Sequence, residues 1–191
     1  MDRRQRIANA GIALIARGGT HRLTHRAVDA EAGLPNGSTS YYARSRRDLI
    51  RLVMEQLSAE SQADLTDIEV PGELTVRQAT DLVGRLAERL ILNGDAQAAR
   101  FALMFEVRDD DELRRELTVD APVRSSFDEK AVELLRALGA TDPEGTAPKF
   151  VALVDAVLMY RAVEAAPIDP AGVVETYLAG LLVRRKPTAT R

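Results

Sequence analysis

"GLPNGSTSYYARSRRDLI", residues 33–50, is the stretch on which the reading of this chain turns. Between Pro35 and Asp48 its only aliphatic side chain is Ala43, while it holds two adjacent tyrosines and three arginines. Apolar residues at helical spacing flank it on both sides. Such a segment inside a helical protein is a floppy loop, a catalytic loop or a surface that meets a partner.

The flanking pattern narrows the choice. Upstream, Ile7, Ala10, Gly11, Leu14 and Ile15 recur at helical spacing, and Gly18-Gly19 ends that helix with residues that tolerate left-handed dihedrals. Thr24 suits the N-cap of a short helix through Ala32, closed by Gly33. A third short helix is expected over about 36–42. Ser45, with Asp48 three positions on, forms a capping box that opens a long helix bearing Leu49, Leu52, Val53 and Leu57.

Beyond the break "EVPGEL", Thr75 caps a helix that carries Val76, Ala79, Leu82, Val83, Leu86 and Leu90. Residues 96–107 are strongly apolar. The stretch from about Asp111 meets Pro122, bends or breaks there, and resumes to Leu138. "GATDPEGTAP" reads as a turn before a long apolar helix over about 147–165. Asp169-Pro170 opens a last helix ending near Val183, and the tail at 184–191 is expected to fray. No strand-period run or repeat appears. The fold class is all-α with about nine helices, divided into an N-terminal three-helix domain (1–47) and a helical body (48–191).

Composition sets the boundaries of function. The 191 residues are 46% hydrophobic and 29% charged, ordinary values for a folded domain, and include no cysteine. That removes disulfides, thiolate metal sites and a cysteine nucleophile, and a cytoplasmic protein is expected. The net charge of −3 hides an asymmetry. Residues 1–54 carry ten arginines against four acidic residues, whereas the remainder has 25 acidic and 16 basic side chains. A basic quarter on an acidic body points to a local polyanion contact.

Three short helices in about 45 residues, with a glycine turn between the second and third, have the organisation of a helix-turn-helix. A helix that enters the DNA major groove has no use for bulky apolar residues on its exposed face. Small residues such as Gly37, Ser38, Thr39 and Ser40 let the N-terminus of the third helix approach phosphates. The hydroxyls of Tyr41 and Tyr42 reach phosphate oxygens or base edges. Arg44, Arg46 and Arg47 suit charge-assisted backbone contacts.

In sequence, "RRQRIANAGIALIARGG…LTHRAVDAEAGLPNGSTSYYARSRRDLI" resembles the N-terminal domain of the tetracycline repressor (TetR) family of bacterial transcription regulators. The resemblance covers roughly residues 3–54. It implies that Gly37, Ser38, Tyr41 and Tyr42 belong to a recognition helix and that Thr24 holds a phosphate at the start of the second helix. Arg46 stands where the family usually has a backbone-contacting lysine. Two positions depart from the family: its usual Phe-Pro is Ala43-Arg44 here, and a usual lysine is Asn36. His25 is a further candidate for the DNA backbone.

The resemblance also implies a homodimer built on the last two helices, two reading helices one DNA turn apart on a palindromic operator, and a small-molecule effector. The apolar coverage of residues 151–158 and of Val173, Val174, Tyr177, Leu178 and Leu181 suits packing on two sides. Candidate effector contacts are Phe101, Met104, Phe105, Arg108, Phe127, Met159 and Tyr160, with Glu106 and Arg124 as polar anchors; plain core packing is the alternative for each. No metal site or other cofactor is expected, since His21 and His25 straddle a helix cap and lack further ligands. The only histidines lie in the basic quarter, so a Ser-His-Asp enzyme is not expected. A helical carrier or enzyme with a helix-turn-helix-like front end is the alternative function.

Overall fold

The computed structural model describes residues 2–165 and 167–183. The tail at 184–191, expected to fray, lies outside these. Among the described residues the fold is all helical, with ten α-helices rather than about nine because the chain breaks fully before Pro122. They are α1 (Arg3–Gly18), α2 (His25–Glu31), α3 (Ser38–Tyr42), α4 (Arg46–Thr66), α5 (Val76–Leu92), α6 (Gly94–Glu106), α7 (Asp111–Leu117), α8 (Pro122–Ala137), α9 (Pro143–Ala162) and α10 (Pro170–Val183). A 3₁₀ turn, Thr20–Arg22, precedes α2.

Packing divides the chain into two compact units, residues 1–63 with 93–124, and residues 64–92 with 125–191. The sequence suggests a division at 47/48; by packing, α6 and α7 fall in the unit that holds α1–α3 and most of α4. In the first unit α1 lies along α6, and Ile7, Ile12 and Ile15 share a core with Val28, Leu49, Val53, Leu57, Ala99, Leu103 and Leu113. Gly11 permits close approach of α1 to α4, since a Cβ there would lie 2.5 Å from Val53 Cγ2.

The second unit packs α5 against α9 and α10, with Ala79, Val83, Leu134, Leu135, Phe150, Val174 and Leu178 in its core. Phe150 and Tyr177 stack there at 5.8 Å. Helix α9 starts four residues earlier than the sequence suggests. The Asp142 carboxylate accepts from the Gly145 amide, so Asp142-Pro143 is a cap and first helical residue rather than a turn. Pro148 then sits inside the helix and withholds one amide hydrogen from its early turns. Asp169 caps α10 through the Ala171 and Gly172 amides, as its sequence indicates.

Candidate nucleic-acid interface

The local rules that start α2 and α4 operate as read. Thr24 Oγ1 accepts from the Ala27 amide at 3.2 Å, and its exposed hydroxyl keeps a hydrogen to donate. Ser45 and Asp48 exchange reciprocal bonds of 3.0 and 3.1 Å, the capping box that opens α4. Between these helices the chain turns through Gly33 and Gly37, whose φ values of +62° and +91° suit glycine.

Helix α3 spans five residues, and its one buried side chain is Thr39. Thr39 therefore turns inward, away from the surface formed by its neighbours, and its hydroxyl donates to Asp29 at 2.6 Å. The same carboxylate accepts from the amides of Thr39 and Gly37, both at 2.7 Å. Asp29 is 1% exposed. Burial pushes its carboxyl up, but the hydroxyl and two amide donors outweigh this and hold it below the ordinary range.

With Thr39 inward, Ser40, Tyr41 and Tyr42 are exposed, Tyr41 at 84% and Tyr42 at 37%. The two rings meet edge to face at 5.2 Å. Asn36 and Gly37 are exposed, and Ser38 returns its hydroxyl to the Pro35 carbonyl at 2.7 Å. His25 is half-buried with Nε2 2.8 Å from the Ala43 carbonyl, so this nitrogen is occupied within the protein.

The ten arginines of residues 1–54 separate into two groups. Six have internal partners. Arg4 pairs with Glu55, Arg6 donates to the Ala32 carbonyl at the end of α2, and Arg17 pairs with Glu31 at 2.6 Å. Arg46 donates to the carbonyls of Leu23 and Thr20 and to Glu106 at 2.8 Å. Arg47 forks onto Asp110 at 2.9 and 3.0 Å and also reaches Glu112; Arg51 forks onto Glu116 at 2.7 and 2.9 Å and reaches Glu112. The Arg46 guanidinium and the Thr20 hydroxyl hold the Glu106 carboxyl below its ordinary range, and Arg47 lowers Asp110 to about 2.

The other four, Arg3, Arg22, Arg26 and Arg44, are exposed, and their side chains make no hydrogen bond or ion pair among the described residues. Arg22 lies in the turn before α2, Arg26 in its first turn, and Arg44 directly after α3. Arg22 and Arg26 were missed in the sequence, where they read as general basic character. Only the pairing of the other arginines sets them apart.

The candidate effector contacts fall on both units. On the first, Phe101 is buried with Arg100 over its ring at 4.3 Å, while Met104 and Phe105 are exposed, Phe105 at 70%, and Arg108 pairs with Asp109. On the second, Phe127 and Met159 are partly buried and Tyr160 is exposed. Glu106 is taken up by Arg46 and Thr20. Among the described residues no group of three or more side chains could hold a metal ion, and no helix is long and apolar enough to cross a membrane.

Residues 74–184 match the tetracyclin repressor-like C-terminal domain. The chain belongs to the TetR family. It is similar to a TetR-family member from Streptomyces coelicolor A3 at 27% identity, over 95% of this chain and 98% of that one, with a TM-score of 0.67. The multidrug binding protein EbrR, solved with proflavin, shares 28% identity over 94% of this chain and 99% of its own, TM-score 0.58. A transcriptional regulator from Rhodococcus sp. Rha1 superposes at TM-score 0.78 with 15% identity over 96% and 97% of the two chains, a likeness of fold. No curated protein matches in sequence. As a TetR-family transcription regulator, the chain places its helix-turn-helix at α2–α3, where the polar interruption of the sequence lies.

Proposed function

We propose that this TetR-family protein is a cytoplasmic, non-enzymatic repressor that binds a palindromic operator as a homodimer and leaves it when a small molecule binds the helical body. The observation that carries the reading is the surface of α3, which presents Ser40, Tyr41 and Tyr42 on a short helix with no exposed aliphatic side chain. Unpaired arginines stand on either side of it in the chain. Tyr41 and Ser40 face base edges, while Thr24, Tyr42, Arg22, Arg26 and Arg44 meet phosphates and Asn36, Gly37 and Ser38, whose own donors are spent on the Pro35 carbonyl, allow close approach. Arg46 and Arg47 serve chiefly to hold α4 against α6 and α7.

Dimerisation through α9 and α10 is supported by apolar side chains left partly or fully open on them, among them Leu153, Val154, Tyr160 and Leu181. A two-fold pair would set two reading helices one DNA turn apart. The proflavin complex of EbrR supports a small organic molecule as effector. Footprinting of the intergenic DNA beside the gene tests the reading. Protection of a short palindrome, lost on adding an effector found by compound screening, is the expected result. No protected site, together with turnover of a small substrate, would favour a helical enzyme instead.

A further inference from the structure

Helix α3 cannot hold its own position. Five residues are far below the roughly 12–15 at which isolated helices become even marginal in water. Its single buried side chain is the polar Thr39, so no aliphatic anchor within the helix fixes its rotation. The bonds at its two ends come instead from two side chains one turn apart on α2. At the leading end, Asp29 takes the Gly37 amide, the Thr39 amide and the Thr39 hydroxyl, all within 2.6–2.7 Å. At the trailing end, His25 Nε2 lies 2.8 Å from the carbonyl of Ala43, which is itself 1% exposed. A carbonyl only accepts, so Nε2 is the donor.

We propose that His25 and Asp29 are positioning residues that together clamp the reading helix and so set sequence selectivity rather than phosphate affinity. The clamp fixes rotation because successive helical residues are about 100° apart: with Thr39 turned in, Ser40, Tyr41 and Tyr42 must present the outer faces. It also supplies what Ala43-Arg44 cannot, since a methyl group gives little to pack where α3 joins α4. The inference rests on the DNA-binding reading above.

The test starts with full-length wild-type protein and a random duplex pool, from which a bound sequence is selected. Affinity for that duplex and for a random duplex of equal length is then measured at two salt concentrations, for wild type, His25→Leu, His25→Gln and Asp29→Asn, with helicity and Tm recorded. His25→Leu and Asp29→Asn should lose about tenfold or more on the selected duplex while random-duplex affinity and its salt dependence stay near wild type. His25→Gln, which keeps an N–H donor, should retain the wild-type ratio of the two affinities.

Variants that keep that ratio throughout would overturn the clamp, as would a parallel loss of both affinities or a His25→Gln protein as impaired as His25→Leu. If Asp29→Asn melts below the assay temperature, the half-buried His25 pair decides the matter alone. A wild-type protein that selects no duplex at all sinks the DNA-binding reading itself, a different failure from wild-type selection with indifferent variants.

Discussion

The division of the arginines makes a quantitative prediction about salt. Each phosphate neutralised on duplex DNA contributes about 0.9 to the slope of log affinity against log salt. Arg22, Arg26 and Arg44 are exposed and free of internal partners, so replacing all three by Ala should flatten the slope by about 2.7 per protomer. Between 50 and 200 mM salt each lost contact corresponds to about a 3.5-fold change in affinity. The Arg46→Ala, Arg47→Ala double variant should behave differently. Arg46 already serves two carbonyls and Glu106, and Arg47 serves Asp110 and Glu112. A phosphate would have to displace these partners, so the slope should change by less than about 0.5. The loss should instead appear in stability. Arg46 is partly exposed, so truncating it should cost only about 1 kcal/mol, equivalent to about 2–4 °C in Tm for a chain of this size. Fluorescence anisotropy on a random duplex across a salt series, with calorimetry on the same proteins, reads both quantities. A double variant whose slope flattens by about 1.8 while the triple variant keeps the wild-type slope would refute the assignment. It would show that the carboxylates release Arg46 and Arg47 to DNA.

Three further outcomes follow from particular contacts. Asp29→Ala leaves two amides and a hydroxyl without their charged acceptor and should cost about 2–4 kcal/mol in chemical denaturation at pH 7; an unchanged midpoint would remove Asp29 as an anchor. Because the Asp29 carboxyl is lowered in the folded state, its stabilisation is fully present above the unfolded value of about 3.9 and disappears as pH falls through the lower folded value. The wild-type and Asp29→Ala curves should therefore converge below about pH 4, and a constant gap down to pH 2 would contradict this. Asp110, lowered to about 2 by Arg47, has the same sign: Asp110→Asn should lose stability against wild type at pH 7, with the difference closing between about pH 4 and 2 in melts. Gly11→Ala gains helix propensity of about 1 kcal/mol but drives a methyl to 2.5 Å from Val53 Cγ2. A β-branched neighbour cannot swing aside, so overpacking of about 1–3 kcal/mol should win and Tm should fall. A raised Tm would mean that α1 and α4 separate without cost.

What could be read from the sequence is what local rules control. Thr24, the Ser45–Asp48 box, Thr75 and Asp169-Pro170 announce helix starts because the cap and its amides lie within four residues. The one early start that was missed, at Pro143, had Asp142-Pro143 in plain view. The second proline at 148 made the whole stretch look like a turn. Tertiary partners were not legible in this way. Arg46 and Arg47 find their carboxylates some 60 positions later, and no spacing rule links α4 to α6 and α7 across such a distance. Asp29 was overlooked because a charged residue in a short helix ordinarily faces water. A signal did exist: a five-residue helix with no aliphatic side chain needs a polar anchor, and Asp29 lies four residues after His25 on the helix before it.

These pairings also change what the basic N-terminal quarter means. Taken alone, residues 1–54 carry a net +6. The compact unit that contains them adds residues 55–63 and 93–124, and over the whole unit 15 basic side chains meet 14 acidic ones. A unit so close to neutral has little long-range field with which to gather DNA indiscriminately. The positive charge left without a carboxylate partner includes Arg22 and Arg26 before and in α2 and Arg44 directly after α3. On the proposed DNA-binding reading, neutralising the rest of the quarter lowers the non-specific background against which base contacts compete. The ratio of specific to non-specific affinity, which decides occupancy among many competing sites, then depends more on how α3 is presented than on how many arginines the sequence contains.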